Sequence, residues 1–202
     1  AFQSTERDGE GYPLFEPISV YDSGQARQPR DGVSPLMSPM GAAVADLDRD
    51  DALDLVMTLD PAHIILDGAS TWPVTSTTPD SGLLFSTSAS GGLQVGWAVA
   101  LVDIDQDGLD DVIVSHGDDA ARFLGEQASP GPQHATVHLN MGDFHFLDAT
   151  QHLGLGRLGG WRAMTTGDLD GDADCDLIIG GLGEPPRVYR NDVTTPNRGL
   201  II

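Results

Sequence analysis

The chain has 202 residues, 40% of them hydrophobic, and its 31 acidic residues outnumber 10 basic ones to give a formal net charge of −21. This hydrophobic content excludes wholesale disorder, and the length suits one large β domain or two small ones. All the basic residues are arginines and they form no basic patch, so we expect neither nucleic acid nor an anionic membrane surface as a partner.

The single cysteine, Cys175, excludes an intrachain disulfide but does not fix the compartment. No apolar run reaches the length of a membrane span, so membrane insertion is not expected. The first residues, AFQSTERDGEG, show no signal peptide and are typical of a mature terminus or of an excised segment.

From the N-terminus, residues 1–40 are rich in proline and glycine and predict an arm with one strand, at PLFEPISVYDSG. Three repeats follow, at 41–95, 96–159 and 160–202, the last of them incomplete. Each repeat begins with small and apolar residues: MGAAVA, GWAVALV and GGWRAMTTG. Each continues through a nine-residue acidic loop into a β-branched or apolar run: Leu55–Leu59, Val112–His116 and Leu177–Gly181.

Further short strands are predicted within the repeats. The next strand of each repeat is expected at His63–Gly68, Thr136–Gly142 and Arg187–Asp192, and another at GLLFSTS in the first repeat and at Asp143–Thr150 in the second. Four short strands fill the spacing between the loops, which start 57 and 65 residues apart. The pattern predicts an all-β fold of four-stranded antiparallel meanders, as in β-propeller blades. Three blades would be a partial propeller or part of a larger one.

Helix is scarce in this interpretation. A two-turn helix is predicted at Asp118–Gln127 and a single turn at ATQHLGL. The segments STWPVTSTTPDSG and EQASPGPQH are interpreted as turn-rich insertions that make the repeats unequal in length.

The three acidic loops are DLDRDDALD, DIDQDGLDD and DLDGDADCD, and they contain 15 of the 31 acidic residues. In a curled nine-residue loop, the side chains at positions 1, 3, 5 and 9 converge with the carbonyl at position 7, which suits the flexible oxygen coordination of Ca²⁺. The sequence therefore predicts three Ca²⁺ sites. Their ligands would be Asp46, Asp48, Asp50, the Ala52 carbonyl and Asp54; Asp103, Asp105, Asp107, the Leu109 carbonyl and Asp111; and Asp168, Asp170, Asp172, the Asp174 carbonyl and Asp176.

Other interpretations of these loops are weaker. An EF-hand needs a glutamate at position 12, where this chain has Met57, Val114 and Ile179. Zn²⁺ prefers histidine and cysteine, which the loops lack apart from Cys175. Carboxylates about 4 Å apart repel each other by about 4 kcal/mol at an effective dielectric near 20, so the loops are expected to need a cation to close. Position 6 holds Asp51, Gly108 or Ala173, and a left-handed turn there would strain the alanine most.

The chain resembles a known family in these segments. DIDQDGLDDVIV is similar to the calcium loop of FG-GAP/VCBS repeats, the blades of integrin-α-like propellers. LNMGDFHFLDATQHLGL, GGWRAMTTGDLDGDADCDLIIGG and VYRND resemble bacterial VCBS and ASPIC/UnbV-type repeats, and the resemblance covers about residues 41–195. It implies a β-propeller with an ion between the first and second strands of each blade, in a secreted, periplasmic or cell-surface setting.

The resemblance implies a non-catalytic module for adhesion, protein interaction or scaffolding. Alternatives are a lectin-like carbohydrate-binding propeller, with Trp72 facing a glycan, or the accessory domain of a polysaccharide-active enzyme. Because open sheet edges are normally covered, we expect a protein partner or further blades at the ends of the arc.

The remaining candidates favour structural roles. His134 and His138 are four residues apart in a predicted strand, which separates them by about 13 Å, so a histidine metal site is not expected. No nucleophile motif frames the serines, so we expect no enzyme activity. Trp97 and Trp161 recur just before an acidic loop and are expected in the core, and Cys175 is expected to be packed or half-exposed.

Overall fold

The computed structural model describes residues 40–58, 63–68, 83, 94–117 and 133–192. These residues form ten β-strands: β1 (Gly41–Ala45), β2 (Asp54–Thr58), β3 (His63–Leu66), β4 (Gly96–Val102), β5 (Asp111–His116), β6 (Thr136–Asn140), β7 (Phe146–Asp148), β8 (Trp161–Gly167), β9 (Asp176–Gly181) and β10 (Glu184–Tyr189). The same ranges contain no helix, and so none with the length and apolar character to cross a bilayer. The predicted all-β class is confirmed for this part of the chain.

The strands form three antiparallel sheets, and within each sheet they pair in chain order. Sheet 1 contains β1–β3, sheet 2 contains β4–β7 and sheet 3 contains β8–β10. Sheet 2 is the complete four-stranded meander that the sequence predicts, and three strands of each of the other sheets lie in the described ranges. None of the ten described strands pairs with a strand of another sheet, so the three sheets are open.

The third strand of sheet 3 lies earlier in the chain than predicted. It is β10, Glu184–Tyr189, and not the expected Arg187–Asp192. A tight turn follows β9, with Gly183 at a φ of 72°, and returns the chain to pairing at once. Pro185 and Pro186 lack the N–H that a regular ladder needs, and the register shifts around them. The strand ends before Asn191, whose N–H bonds to a loop carboxylate instead of a strand.

The outer strand of sheet 2 is shorter than the predicted Asp143–Thr150. Its beginning is lost because Asp143 and Phe144 have positive φ values of 49° and 58° in a turn. The chain leaves the ladder again at Thr150, whose hydroxyl accepts a hydrogen bond from the Val137 N–H at 3.0 Å. The single turn predicted for ATQHLGL is confirmed there, because the His152 N–H bonds to the carbonyl of residue 149 at 2.9 Å.

Two apolar clusters join the three sheets. The first packs sheet 1 against sheet 2 and contains Ala45, Leu47, Val56, Ile65, Leu83, Val112, Val114, Phe144 and Phe146. The second packs sheet 2 against sheet 3 and contains Val102, Ile104, Ile113, Ala135, Val137, Leu155, Trp161, Leu177 and Ile179. Alternate residues of β5 serve the two clusters, so every residue of that strand is buried. Sheet 2 is therefore the middle of a stack of three.

The first strands of the three sheets are neighbours, because β4 contacts both β1 and β8. The Thr58 hydroxyl donates across this junction to the Trp97 carbonyl at 3.2 Å. The Arg162 guanidinium lies 4.1 Å above the centroid of the Trp97 ring. Trp161 is 1% exposed, which confirms its predicted place in the core, while Trp97 is half-buried at the junction.

Several predictions lie outside the described residues. These are the N-terminal arm and its strand, the GLLFSTS strand except Leu83, the helix at Asp118–Gln127, most of the two insertions, and Trp72.

Candidate metal centres

The three acidic loops occupy equivalent places in the three sheets. Each connects the first strand of its sheet to the second: β1 to β2, β4 to β5 and β8 to β9. The loop closes where position 9 pairs with the last residue of the first strand, at Ala45–Asp54, Val102–Asp111 and Gly167–Asp176. The predicted location of the loops between first and second strands is confirmed.

The aspartate at position 1 organises the loop backbone from inside. In loop 2, the Asp103 carboxylate accepts hydrogen bonds from the N–H groups of Asp107 at 2.9 Å and Gly108 at 2.8 Å. Asp46 accepts from positions 5 and 6 of loop 1 at 3.0 Å each. Asp168 differs slightly, because it accepts from Gly171 at position 4 and from position 6. A carboxylate surrounded by its own backbone N–H groups holds the chain curled.

Position 5 repeats the same device two residues further on. The carboxylates of Asp50 and Asp107 each accept the N–H of position 7 at 2.8 Å, and the Asp172 carboxylate does so at 3.3 Å. The aspartates at positions 1 and 5 thus accept hydrogen bonds from the loop's own backbone, and these bonds do not require a cation.

The curled backbone needs left-handed residues at positions 4 and 6, as predicted for position 6. Asp51, Gly108 and Ala173 have φ values of 68°, 91° and 74°. Position 4 is also left-handed, with Arg49, Gln106 and Gly171. Ala173 has the side chain least suited to this conformation.

Position 9 has a second role that sequence reasoning missed. One oxygen of the Asp111 carboxylate accepts the N–H of Ile104 at position 2, at 2.9 Å, and the other accepts the N–H of Asn140 at 2.7 Å. Asp54 and Asp176 make the same pair of bonds, to Leu47 and Gly68 and to Leu169 and Asn191. These buried carboxylates fasten the loop to the end of the third strand in every sheet.

The structure brings three carboxylates of each loop together. The clusters are Asp46, Asp48 and Asp50 in loop 1; Asp103, Asp105 and Asp111 in loop 2; and Asp168, Asp170 and Asp176 in loop 3. In each cluster, one oxygen from every residue lies within 4.8 Å of the others. Oxygens bound to opposite sides of one Ca²⁺ lie about 4.6–5.2 Å apart, so each cluster has the size of a single coordination sphere.

The remaining predicted ligands are not members of these clusters. They are the side chains of Asp54, Asp107 and Asp172 and the carbonyls of Ala52, Leu109 and Asp174. Their place in a coordination sphere stays a prediction.

The carboxylates repel one another, as their spacing requires. Desolvation raises the pKa of Asp105, and the charge of Asp107 raises it further. The same two causes raise the pKa of Asp48, beside Asp50. Burial raises the pKa of Asp111 to about 7, against the two backbone N–H groups that lower it. A divalent cation would relieve this repulsion.

The loops are also linked to each other along one edge of the stack. The Arg49 guanidinium at position 4 of loop 1 donates to the Asp107 carbonyl in loop 2 at 3.3 Å. The Gln106 amide at position 4 of loop 2 donates to the Ala173 carbonyl in loop 3, also at 3.3 Å. An ion in one loop would therefore steady the backbone of a neighbour.

A second link between sheets comes from two asparagines that sequence reasoning also missed. The Asn140 amide donates to the Leu47 carbonyl in the preceding loop at 2.8 Å, and the Asn191 amide donates to the Ile104 carbonyl at 2.9 Å. We refer to this contact as the asparagine latch. The available signal is that LNMG and RND end the corresponding strand in successive repeats.

Two of the histidines, His116 and His138, are buried, and no histidine joins a carboxylate cluster among the described residues. Thr136 lies between two of them, with its hydroxyl 3.0 Å from His116 Nε2 and 3.2 Å from His138 Nε2. Sequence spacing could not predict that His116 and His138 lie close together, because they are on different strands. Cys175 is half-exposed, as predicted, and burial raises the pKa of its thiol, followed by nearby aspartates.

Burial lowers the pKa of His138, with a smaller opposing effect from Asp148. Because the unfolded chain then binds the proton more readily, the contribution of His138 to stability is present above its unfolded pKa and lost as the pH falls below it. We expect the free energy of unfolding to fall on acidification by up to about 1.4 kcal/mol per pH unit from this group. Urea titrations in EGTA at a series of pH values measure this, and His138→Gln should flatten the dependence. A dependence that is unchanged in the variant would contradict the assignment.

A scan against protein-family models finds no match, and a search of curated proteins finds none either. In the part of the chain that the structure describes, the fold and the loops define the class: antiparallel β-sheets with three clusters of aspartates at ion-binding distance.

Proposed function

We propose that each acidic loop binds one Ca²⁺ and that the chain is a calcium-stabilised, non-catalytic module for protein interaction or scaffolding. The observation that carries the proposal is the threefold recurrence of an aspartate cluster with oxygens within 4.8 Å of one another. A solubilising acidic surface has no need to repeat the same carboxylate-to-backbone hydrogen bonds in three loops.

The donor set fits a hard cation. All the clustered ligand atoms are carboxylate oxygens, which Ca²⁺ accepts in flexible numbers, whereas Mg²⁺ demands near-octahedral geometry and Zn²⁺ prefers nitrogen and sulfur. In loop 1, Asp48 Oδ1 is buried and has no hydrogen-bond partner among the described residues. A buried carboxylate oxygen of this kind costs free energy unless a proton or a cation satisfies it. The residues present therefore fit Ca²⁺.

The three sheets are proposed to be blades of a β-propeller. Adjacent first strands, sheets stacked face to face and strands paired in chain order support this arrangement. The FG-GAP/VCBS resemblance points to the same architecture, with the ions in a row along one edge. A secreted, periplasmic or cell-surface setting is part of the proposal and rests on the same resemblance.

The proposed role of the ions is to hold the loop edge in one conformation for a partner. Three ions would change the formal charge from −21 to −15, which still leaves an acidic surface suited to a partner with basic or neutral groups.

A two-part experiment tests this function. Calorimetric titration of the metal-free chain should give heats for Ca²⁺ and much weaker ones for Mg²⁺. A glycan array probed in calcium should give no saturable binding. Selective Mg²⁺ binding would contradict the ion assignment, and saturable, calcium-dependent binding of one glycan class would replace the scaffolding role with carbohydrate recognition.

A further inference from the structure

One face of sheet 3 is exposed although the equivalent faces of sheets 1 and 2 are covered. The pairing of strands defines equivalent cross-strand rows: Ala43–Val56–Ile65 in sheet 1, Ala100–Ile113–Val137 in sheet 2 and Thr165–Ile178–Val188 in sheet 3. The second and third members of the first two rows are fully buried, and they pack in the cluster shared with the following sheet. In the third row, Val188 is 63% exposed.

The residue at loop position 2 repeats this contrast. Leu47 and Ile104 are 0% and 7% exposed, because each packs in the cluster shared with the following sheet. The corresponding residue of loop 3, Leu169, is 53% exposed. An apolar side chain that is buried twice and exposed once marks the same interface without a second partner among the described residues.

The hydrogen bonds of the interface show the same contrast between sheet 3 and the other two sheets. Leu47 and Ile104 each offer the backbone carbonyl that accepts the asparagine latch from the following sheet. Among the described residues, no asparagine side chain donates to the Leu169 carbonyl. The face formed by Leu169, Ile178 and Val188 thus presents the apolar surface and the acceptor that the two formed interfaces use. We call it the sheet 3 face.

We propose that the sheet 3 face docks a further β-sheet of the same repeat type, whose third strand ends in an asparagine that donates to the Leu169 carbonyl. The chain already forms this interface twice, between sheets 1 and 2 and between sheets 2 and 3. The proposed docking rests on the stacked-blade arrangement in the proposed function and is independent of calcium.

Sheet 1 of a second copy is a poorer occupant. At the place of Asn140 and Asn191 it has Gly68, and a Cβ added there would lie 1.9 Å from the Leu53 carbonyl oxygen. Sheet 1 of a second copy therefore brings no latch to the Leu169 carbonyl, whereas a copy of sheet 2 or sheet 3 does.

The test appends a second copy of residues 94–192 to the full chain through a flexible glycine–serine linker of about ten residues. Val188→Cys in the original copy reports the exposure of the face through its rate of reaction with a thiol reagent. Cys175→Ser in both copies removes the native thiol. We expect at least a tenfold slower reaction in the extended chain than in the original chain. Asn140→Ala in the appended copy should restore part of the rate.

Two controls separate protection of the sheet 3 face from other changes in thiol reactivity. Leu53→Cys, at a residue 66% exposed and away from the face, should react equally fast in both chains. Leu169→Cys replaces Val188→Cys as the reporter if circular dichroism shows that the latter disturbs the fold. Equal rates at the sheet 3 face in a folded extended chain would overturn the proposal.

The oligomeric state of the original chain gives a second way to contradict the proposal. If sedimentation showed that the original chain is a dimer whose reporter thiol is already protected, a second copy would be the occupant and the proposal would be wrong. Calorimetric Ca²⁺ binding by the same chains separates a failure here from a failure of the calcium proposal.

Discussion

Removal of calcium should lower the melting temperature of this chain by a large amount. A ligand that binds only the folded state stabilises it by about 2.7 kcal/mol at a free concentration 100 times its dissociation constant, so three such sites give about 8 kcal/mol. For a chain of this length that corresponds to a decrease on the order of 20 °C. Calorimetric scans in millimolar calcium and in excess EGTA measure the difference.

A single-loop variant should reproduce a part of that loss. Asp105 belongs to the loop 2 cluster, and its side chain is half-buried with a raised pKa caused by desolvation and by Asp107. We expect Asp105→Ala to lower the melting temperature in calcium by about a third of the EGTA effect and to have little effect in EGTA. Asp143→Asn is the control, because it removes the charge of an exposed aspartate outside the clusters and keeps a side chain that tolerates the left-handed backbone at this position. Melting curves that coincide with and without EGTA would contradict a structural role for the ions.

The second large effect concerns Asp111 and should persist without calcium. Its carboxylate accepts two backbone N–H groups, from Ile104 and Asn140, and the residue is 1% exposed. Asp111→Ala leaves both donors without this acceptor, and each buried unsatisfied donor costs about 1–3 kcal/mol. We therefore expect a loss of about 2–6 kcal/mol in urea titrations performed in EGTA below pH 7, because burial raises the pKa of Asp111 to about 7 and ionisation above that pH makes the folded state less stable.

Two comparisons make this prediction specific. Asp111→Asn keeps one acceptor oxygen but turns its NH₂ group toward the second N–H donor, so it should lose at least half as much free energy as the alanine variant. Asp105→Ala, compared in EGTA, should lose little, because the Asp105 carboxylate accepts the N–H of Asp107 within the exposed part of the loop. If Asp111→Ala were as stable as Asp105→Ala in EGTA, position 9 would be a metal ligand alone and not a fastener of the sheet.

The regular features of the fold could be predicted from local sequence. Short β-branched runs separated by glycine, proline and aspartate predict strands, and the phase of the aspartates predicts the loops between β1 and β2, β4 and β5, and β8 and β9. The left-handed position 6 was also predictable, because Gly108 in loop 2 indicates it. The place of β10 was not, since the turn at Gly183 and the irregular pairing around two prolines decide it.

Contacts between distant residues could not be predicted in the same way. The Asn140 and Asn191 amides bond to carbonyls 93 and 87 residues earlier in the chain, and nothing in either short segment identifies those partners. The double role of Asp111 was missed for a related reason. The spacing of aspartates predicts which carboxylates approach a cation, but the N–H donors at the end of the third strand become visible only when the sheet is formed.

The number of calcium ions bound per chain tests the central claim most directly. Equilibrium dialysis of the metal-free chain should give three, and Asp48→Ala, Asp105→Ala and Asp170→Ala should each reduce that number by one. These residues belong to separate clusters, so combining all three changes should abolish specific binding. A chain that binds no calcium at millimolar concentration, or that binds the same number of ions in the triple variant, would contradict the account.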